Sequence, residues 1–377
     1  MREILKRIAK AAERGLKMLL LGALSLLFKR RGWSAPFGPY GKILVAVPEN
    51  SLGDMISKVA LIETLKASFP SAIIDVLVLR NSNRMVLQGN PSVNGIIYCE
   101  TDNWHKLVFS FRLLLLALGL RKEKYDLAVT PSNDNLRCAV FCRLAGAKRS
   151  AGFTHNGAKN NYADIFLTDT FEESGLHFVE KNKKLGAFVS GRYAVEKPPV
   201  MPLLKDETEY AESFWKNKRV ENGDLLLAVH PFYGPFIEKG YTAEQFKEAC
   251  KLIKGKIPGV KIAVFWGPTE IQAMDKIREL AKGNILIDDV DFRRLAALLK
   301  RPDLFICCNT GTSHLASIAD IPVLLLCEKS LVRQFDPWGS KNAVLRTDTY
   351  YCSNIKPAAV AEKAVEMLRK YSAKKLG

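Results

Sequence analysis

The chain has 377 residues, 48% of them hydrophobic and 25% charged, with a net charge of +17. This length and apolar content allow two separately cored domains and argue against a disordered chain. The charge is uneven: residues 1–42 hold ten Lys or Arg against Glu3 and Glu13, about half of the excess, which indicates a localised anion-seeking arm rather than a surface built for nucleic acid.

The arm itself, "MREILKRIAKAAERGLKMLLLGALSLLFKRRG", sets Ile4, Leu5, Ile8, Ala12, Leu16, Leu19, Leu20 and Ala23 at helical spacing, with Lys and Arg opposite them as far as Lys17. That pattern is a basic amphipathic helix. Its uncharged segment, Met18 to Phe28, spans about 16 Å as a helix, short of the roughly 30 Å hydrocarbon core, so it is not expected to cross a membrane. Lys29-Arg30-Arg31 follow it without a small-residue cleavage site, so the segment is expected to be retained. Two placements fit: lying in the interface of an anionic cytoplasmic leaflet, or packed on the protein's own body or a partner.

From Lys42 onward, short apolar runs alternate with helical patterns. The strand "KILVAV" leads through "PENSLGD" into the helix "MISKVALIETLKASFP". The strand "AIIDVLVL", a helix near 82–89, the strand "GIIYC", an apolar helix around 105–120, the strand "YDLAVT" and the helix "NLRCAVFCRLAG" come next. The rhythm weakens between about 155 and 222, where Pro198, Pro199 and Pro202 interrupt it before the charged helix "DETEYAESFWKNKRV". It then restarts with the strands "LLLAVH", "VKIAVFWG", "NILID", "DLFICC" and "PVLLLC", separated by helices. This is the pattern of two doubly wound α/β domains with parallel sheets, and ligands of such sheets bind beyond the carboxyl ends of the strands. The expected organisation is the arm over 1–40, a first Rossmann-like domain over 41–205, a second over 206–350 and a C-terminal helix within 351–377.

The segment "CCNTGTSHLAS" joins the buried strand "DLFICC" to a helix expected to begin near Ser313. A helix head offers unpaired N–H groups and the positive end of the dipole; Gly311 would let the backbone approach a ligand, and Thr310, Thr312 and Ser313 add hydroxyls. These features suit a phosphate or diphosphate, although Thr and Ser are also ordinary caps. His314, in the first turn, is expected to donate a neutral N–H rather than carry charge. The cysteines at 99, 138, 142, 250, 307, 308, 327 and 352 form no C-x-x-C, and no two histidines pair at H-x-H or H-x-x-x-H spacing. Neither a disulfide framework nor a metal cage is implied, and no cofactor is expected.

The combination of "GDMISKVALIETLKASFP", "YDLAVTPSNDNLRCAVFCRLAGAKRSAGF", "HPFYGPFIEKGYTAEQFKEA", "WGPTE" and "NTGTSHLASIADIPVLLLCEKS" with a following "PWG" resembles the glycosyltransferase family 9 heptosyltransferases, from about Lys42 to Lys370. The resemblance implies the two-lobed GT-B fold and inverting, metal-independent transfer from a nucleotide-sugar, ADP-heptose foremost, to a lipid-linked saccharide of the lipopolysaccharide core at the cytoplasmic face of the inner membrane. It makes Asp54 of the Gly53-Asp54 pair the general base, where helix position alone would make it a cap. It sets Lys239 against the donor phosphate, with Asn309, Thr310, Gly311, Thr312 and His314 completing the cradle. Glu270 of "WGPTE" would lie near the donor nucleoside, or serve only as an acid at a helix head.

Three departures fall in the donor pocket. Asn309 stands where the family usually has Asp, Pro231-Phe232-Tyr233-Gly234 replace a smaller turn, and Gly240-Tyr241 follow the lysine where Arg-Trp is common. Rival readings are a nucleotide-sugar 2-epimerase of the same architecture, a family member using another donor sugar, and a family member that binds sugar nucleotide without transfer. No nucleic-acid partner is expected, because no recognition motif accompanies the basic residues.

Overall fold

The computed structural model describes residues 38–47, 51–99, 107–132, 136–154, 162–172, 175–192, 196–232, 239–288 and 290–375. The amphipathic helix expected in the arm lies outside these residues. Among those described, the strands form two six-stranded parallel sheets.

The first sheet is built from β1 (Lys42–Val47), β2 (Ile73–Val78), β3 (Gly95–Tyr98), β4 (Leu127–Thr130), β5 (Arg149–Phe153) and β6 (Asp169–Phe171), in the order β3-β2-β1-β4-β5-β6. The second uses β7 (Leu226–His230), β8 (Lys261–Val264), β9 (Ile285–Leu286), β10 (Leu304–Cys308), β11 (Val323–Cys327) and β12 (Ala343–Arg346), in the order β12-β11-β10-β7-β8-β9. Helices cover both faces of each sheet, so every residue of β4, β5, β7, β10 and β11 is buried. Strands covered on both faces favour unbroken apolar runs, which is why β4, β7, β10 and β11 read as strands, whereas β5, with buried Arg149 and Ser150, did not.

The helices of the first lobe are α1 (Leu52–Ser68), α2 (Asn81–Leu87), α3 (Leu107–Leu120), α4 (Leu136–Leu144) and α5 (Phe178–Ser190). Helix α6 (Lys205–Asn217) follows, and α7 (Ala243–Lys256), α8 (Met274–Ala281), α9 (Phe292–Leu298), α10 (Gly311–Ile318) and α11 (Pro357–Tyr371) complete the second lobe. Ile43, Val45 and Val47 of β1 pack with α1 and α5 in a core that continues through Trp215 of α6 to Phe305, Cys307 and Leu315 of the second lobe. Leu44 and Ala46 face the other way, onto α3 and α4.

Arg293 of α9 ties the lobes together. Its guanidinium pairs with Glu207 of α6 and donates to the carbonyls of Met85 and Gln88 in the first lobe and of Pro202 in the segment leading to α6. Both side chains are buried, and the carboxylate of Glu207 also accepts from Leu204 N–H.

The stretch where the sequence rhythm weakened contains β6 and α5. Three residues are too few to display a strand pattern, and α5 is disguised by its lysines. Lys181 lies 4.4 Å from the centroid of Phe153 and Lys183 lies 4.6 Å from that of Trp338, so two side chains that look like a solvated face are buried against rings. The helix expected from Glu270 onward is instead a 3₁₀ turn over Pro268–Ala273 followed by α8.

Candidate functional site

Both candidate segments leave their sheets where strand order reverses. In the first sheet the chain departs from β1 toward β2 on one side and returns as β4 on the other, and α1 begins beyond the carboxyl end of β1. In the second sheet the reversal falls between β7 and β10, and α10 begins beyond β10. These are the crevices in which doubly wound sheets hold ligands.

At the head of α1 the cap is Ser51, not Asp54. Ser51 Oγ accepts from Asp54 N–H at 3.1 Å and donates to Asp54 Oδ2 at 2.5 Å. Asp54 is the third helical residue, with its carboxylate drawn back toward the helix start. At the head of α10, Thr310 occupies the cap position but supplies no side-chain cap, because its hydroxyl is engaged at 2.7 Å with that of Thr312. Ser313 Oγ donates to Thr310 O at 2.7 Å, so helical geometry starts at Gly311, two residues before the expected Ser313. The first turn of α10 therefore presents backbone donors without a competing side-chain acceptor of its own.

The two helix heads meet. A Cβ added at Gly53 would stand 2.5 Å from His314 Cδ2 and 2.9 Å from Nε2, and one added at Gly311 would stand 2.8 Å from Leu52 Cβ. Gly311 thus makes room for Leu52 of the facing lobe, where sequence reasoning assigned that room to a ligand. Beside this contact opens a cleft of about 320 Å³ walled by Ser51 to Asp54, Asn309, Thr310, Gly311, His314, Leu331 and Phe335. The carboxylate bearer of one lobe and the helix head of the other share this space.

His314 is neutral. Burial pushes its pKa down to about 4, His177 adds to that push, and Asp54 opposes it. His177, which sequence reasoning did not select, caps α5: its Nδ1 accepts from Val179 N–H, which leaves Nε2 to donate to Asp336 O at 2.7 Å across the lobes. Phe178 packs tilted against Phe335 with centroids 4.1 Å apart, and Trp338 Nε1 donates to Glu180 at 3.0 Å. This seam closes the far side of Asp54 and His314.

The other selected residues are distributed around the cleft. Thr312 turns inward, with its hydroxyl 2.8 Å from His230 Nδ1 at the end of β7. His230 is 3% exposed, and its Nε2 lies 3.6 Å from Glu270 Oε2 without a hydrogen bond. Glu270 is itself buried and accepts from Gly267 N–H at 2.7 Å, the helix-head acid of the two readings. Lys239 is exposed in the turn before α7 and is not part of the cleft wall formed by the described residues. Tyr241, which replaces the common Trp, is fully buried edge-on to Phe246. The signal that would have found His230 is its position: a histidine closing a buried strand at the point of reversal has no solvent to satisfy it.

The fold and this inter-lobe cleft define a GT-B glycosyltransferase. The family model of glycosyltransferase family 9 (heptosyltransferase) matches residues 114–364, and the chain belongs to that family, whose members act in assembly of the lipopolysaccharide core. Lipopolysaccharide heptosyltransferase 3 of Escherichia coli strain K12 is 24% identical over 288 residues, 73% of this chain and 79% of that protein. A family 9 glycosyl transferase from Veillonella parvula superposes with a TM-score of 0.73 at 17% identity, covering 90% of this chain and 100% of its own. Escherichia coli heptosyltransferase WaaC with ADP-2-deoxy-2-fluoro heptose gives 0.68 at 18% identity, covering 86% and 99%.

Proposed function

We propose that this family 9 enzyme transfers a heptose, with inversion and without a metal, from ADP-heptose to a lipid-linked core saccharide at the cytoplasmic face of the inner membrane. The observation that carries the reading is the shared cleft: Asp54 from one lobe and the uncapped head of α10 from the other line the same space. The acceptor oxygen attacks the anomeric carbon as Asp54 takes its proton, and the bond from that carbon to the diphosphate breaks on the opposite side, releasing ADP. Negative charge growing on the departing diphosphate meets the N–H groups of α10 and the hydroxyl of Thr310, and Lys239, which stands outside the described cleft wall, adds its ammonium from the turn before α7. Neutral His314 contributes polarity there without a second cation. The basic arm over residues 1–40 holds the enzyme on the anionic leaflet from which its acceptor projects.

The relative bound to an ADP-heptose analogue supports the donor, and the lipopolysaccharide relative supports the acceptor. The test is nucleoside diphosphate release over a panel of nucleotide-sugars, ADP-heptose included, with core acceptors truncated stepwise. Asp54→Asn should lower turnover about 10²- to 10⁴-fold while ADP binding persists. A near-normal rate in that variant removes the base assignment, and no release with any pair removes the transferase reading.

A further inference from the structure

Helix α3 is apolar on sides that face water. Leu113 and Ala117 are buried against the first sheet, as a covering helix requires, but Leu115 and Leu118 are 54% and 42% exposed. Beside them runs an open groove of about 270 Å³ between α3 and α4, walled by Leu113, Leu114, Ala117, Leu136, Val140 and Leu144 together with Phe141. Soluble chains seldom leave contiguous apolar surface of this kind without a partner.

The charges around it identify that partner. Arg112, Arg121, Lys122 and Lys124 are all exposed on α3 and the turn that follows it. Among the described residues the acids beside that turn are already engaged: Glu123 binds Lys42 at 2.7 Å, and Asp126 binds Lys148 at 2.7 Å and the N–H groups of Gly41 and Lys42. An apolar strip rimmed by cations complements a layer of hydrocarbon beneath anionic phosphates. With 14 residues, α3 spans about 21 Å, too short to cross a bilayer and suited to lie within its surface. Helix α4 starts six residues beyond the carboxyl end of β4, so the groove reaches the same edge of the sheet from which Asp54 projects.

We infer that the α3–α4 face docks the first lobe on an anionic phospholipid surface, with Leu115 and Leu118 among the acyl chains and Arg112, Arg121, Lys122 and Lys124 on the headgroup phosphates. This rests on the membrane-surface part of the proposed function and adds a face of the folded body to the arm. Docking there turns the sheet edge that carries Asp54 toward the lipid-anchored acceptor.

The experiment is co-sedimentation of the full chain with phosphatidylglycerol–phosphatidylethanolamine vesicles, comparing the parent protein, Leu115→Glu/Leu118→Glu, and the arm variant Leu19→Glu/Leu20→Glu. The α3 variant should partition about 10- to 100-fold less, melt at the parent temperature, and bind ADP unchanged. Unaltered partitioning of the α3 variant, with loss in the arm variant, overturns this inference and leaves the arm reading standing. Absence of binding by the parent protein removes both. Sedimentation velocity without lipid supplies the last outcome: a parent dimer that the α3 substitutions dissolve would make the face a contact between copies and overturn the docking.

Discussion

Protonating His314 would put a cation against the Gly53 backbone at the head of α10, where burial and the neighbouring His177 both oppose it. Its pKa falls from 6.5 to about 4, so between those values the unfolded chain takes up a proton that the native state refuses, and stability declines as pH drops. Glu63 does the reverse. Desolvation of its half-buried carboxyl pushes it from 4.5 up to about 7 against the opposing pull of the Val200 N–H it accepts from, so the native state keeps a proton the unfolded chain has released and stability declines as pH rises. The two slopes oppose each other from about pH 4.5 to 6.5. Urea midpoints at pH 5, 6 and 7 should therefore change little in the parent protein. His314→Gln should show a midpoint falling as pH rises, and Glu63→Gln one falling as pH drops; identical profiles in all three proteins would refute both assignments.

At the scale of elements, the cleft depends on two helix heads lying closer than side chains permit. Gly53→Ala should force the ring of His314 away, cost about 1–3 kcal/mol in thermal or urea unfolding, and weaken ADP binding. An unchanged ADP affinity would show that the spacing of α1 and α10 does not shape the donor site. How much of this was legible in sequence follows from the same geometry. The buried strands β1, β4, β7, β10 and β11 announce themselves because parallel strands covered on both faces need unbroken apolar runs. The turn holding Asn309 to His314 was legible as a strand-to-helix turn because small polar residues follow the buried run of β10, though the same residues are ordinary caps. That Gly53 faces His314 was not, since 261 residues separate them and only the docking of two lobes brings them together. Helix α5 was hidden because Lys181 and Lys183 are buried against rings of other elements, which no local periodicity reports.

For the whole molecule, Arg293 is the joint between lobes. Arg293→Met leaves Glu207 buried without its cation and three carbonyls short of donors, and should cost about 3–5 kcal/mol, read as a lowered unfolding midpoint. Adding Glu207→Gln should restore part of that loss, because the uncompensated charge then disappears; a midpoint unmoved by Arg293→Met would mean the lobes are held elsewhere. Along the edge beside Asp336 the contact between lobes is softer: Phe178 tilted on Phe335, one imidazole donor on a carbonyl, and an indole on Glu180. A rotation that widened the cleft would part this seam before the guanidinium lets go, swinging the second lobe about Arg293 as about a hinge pin. The two lobes are thus pinned by one buried guanidinium and, among the described residues, fastened along an aromatic edge by only two hydrogen bonds.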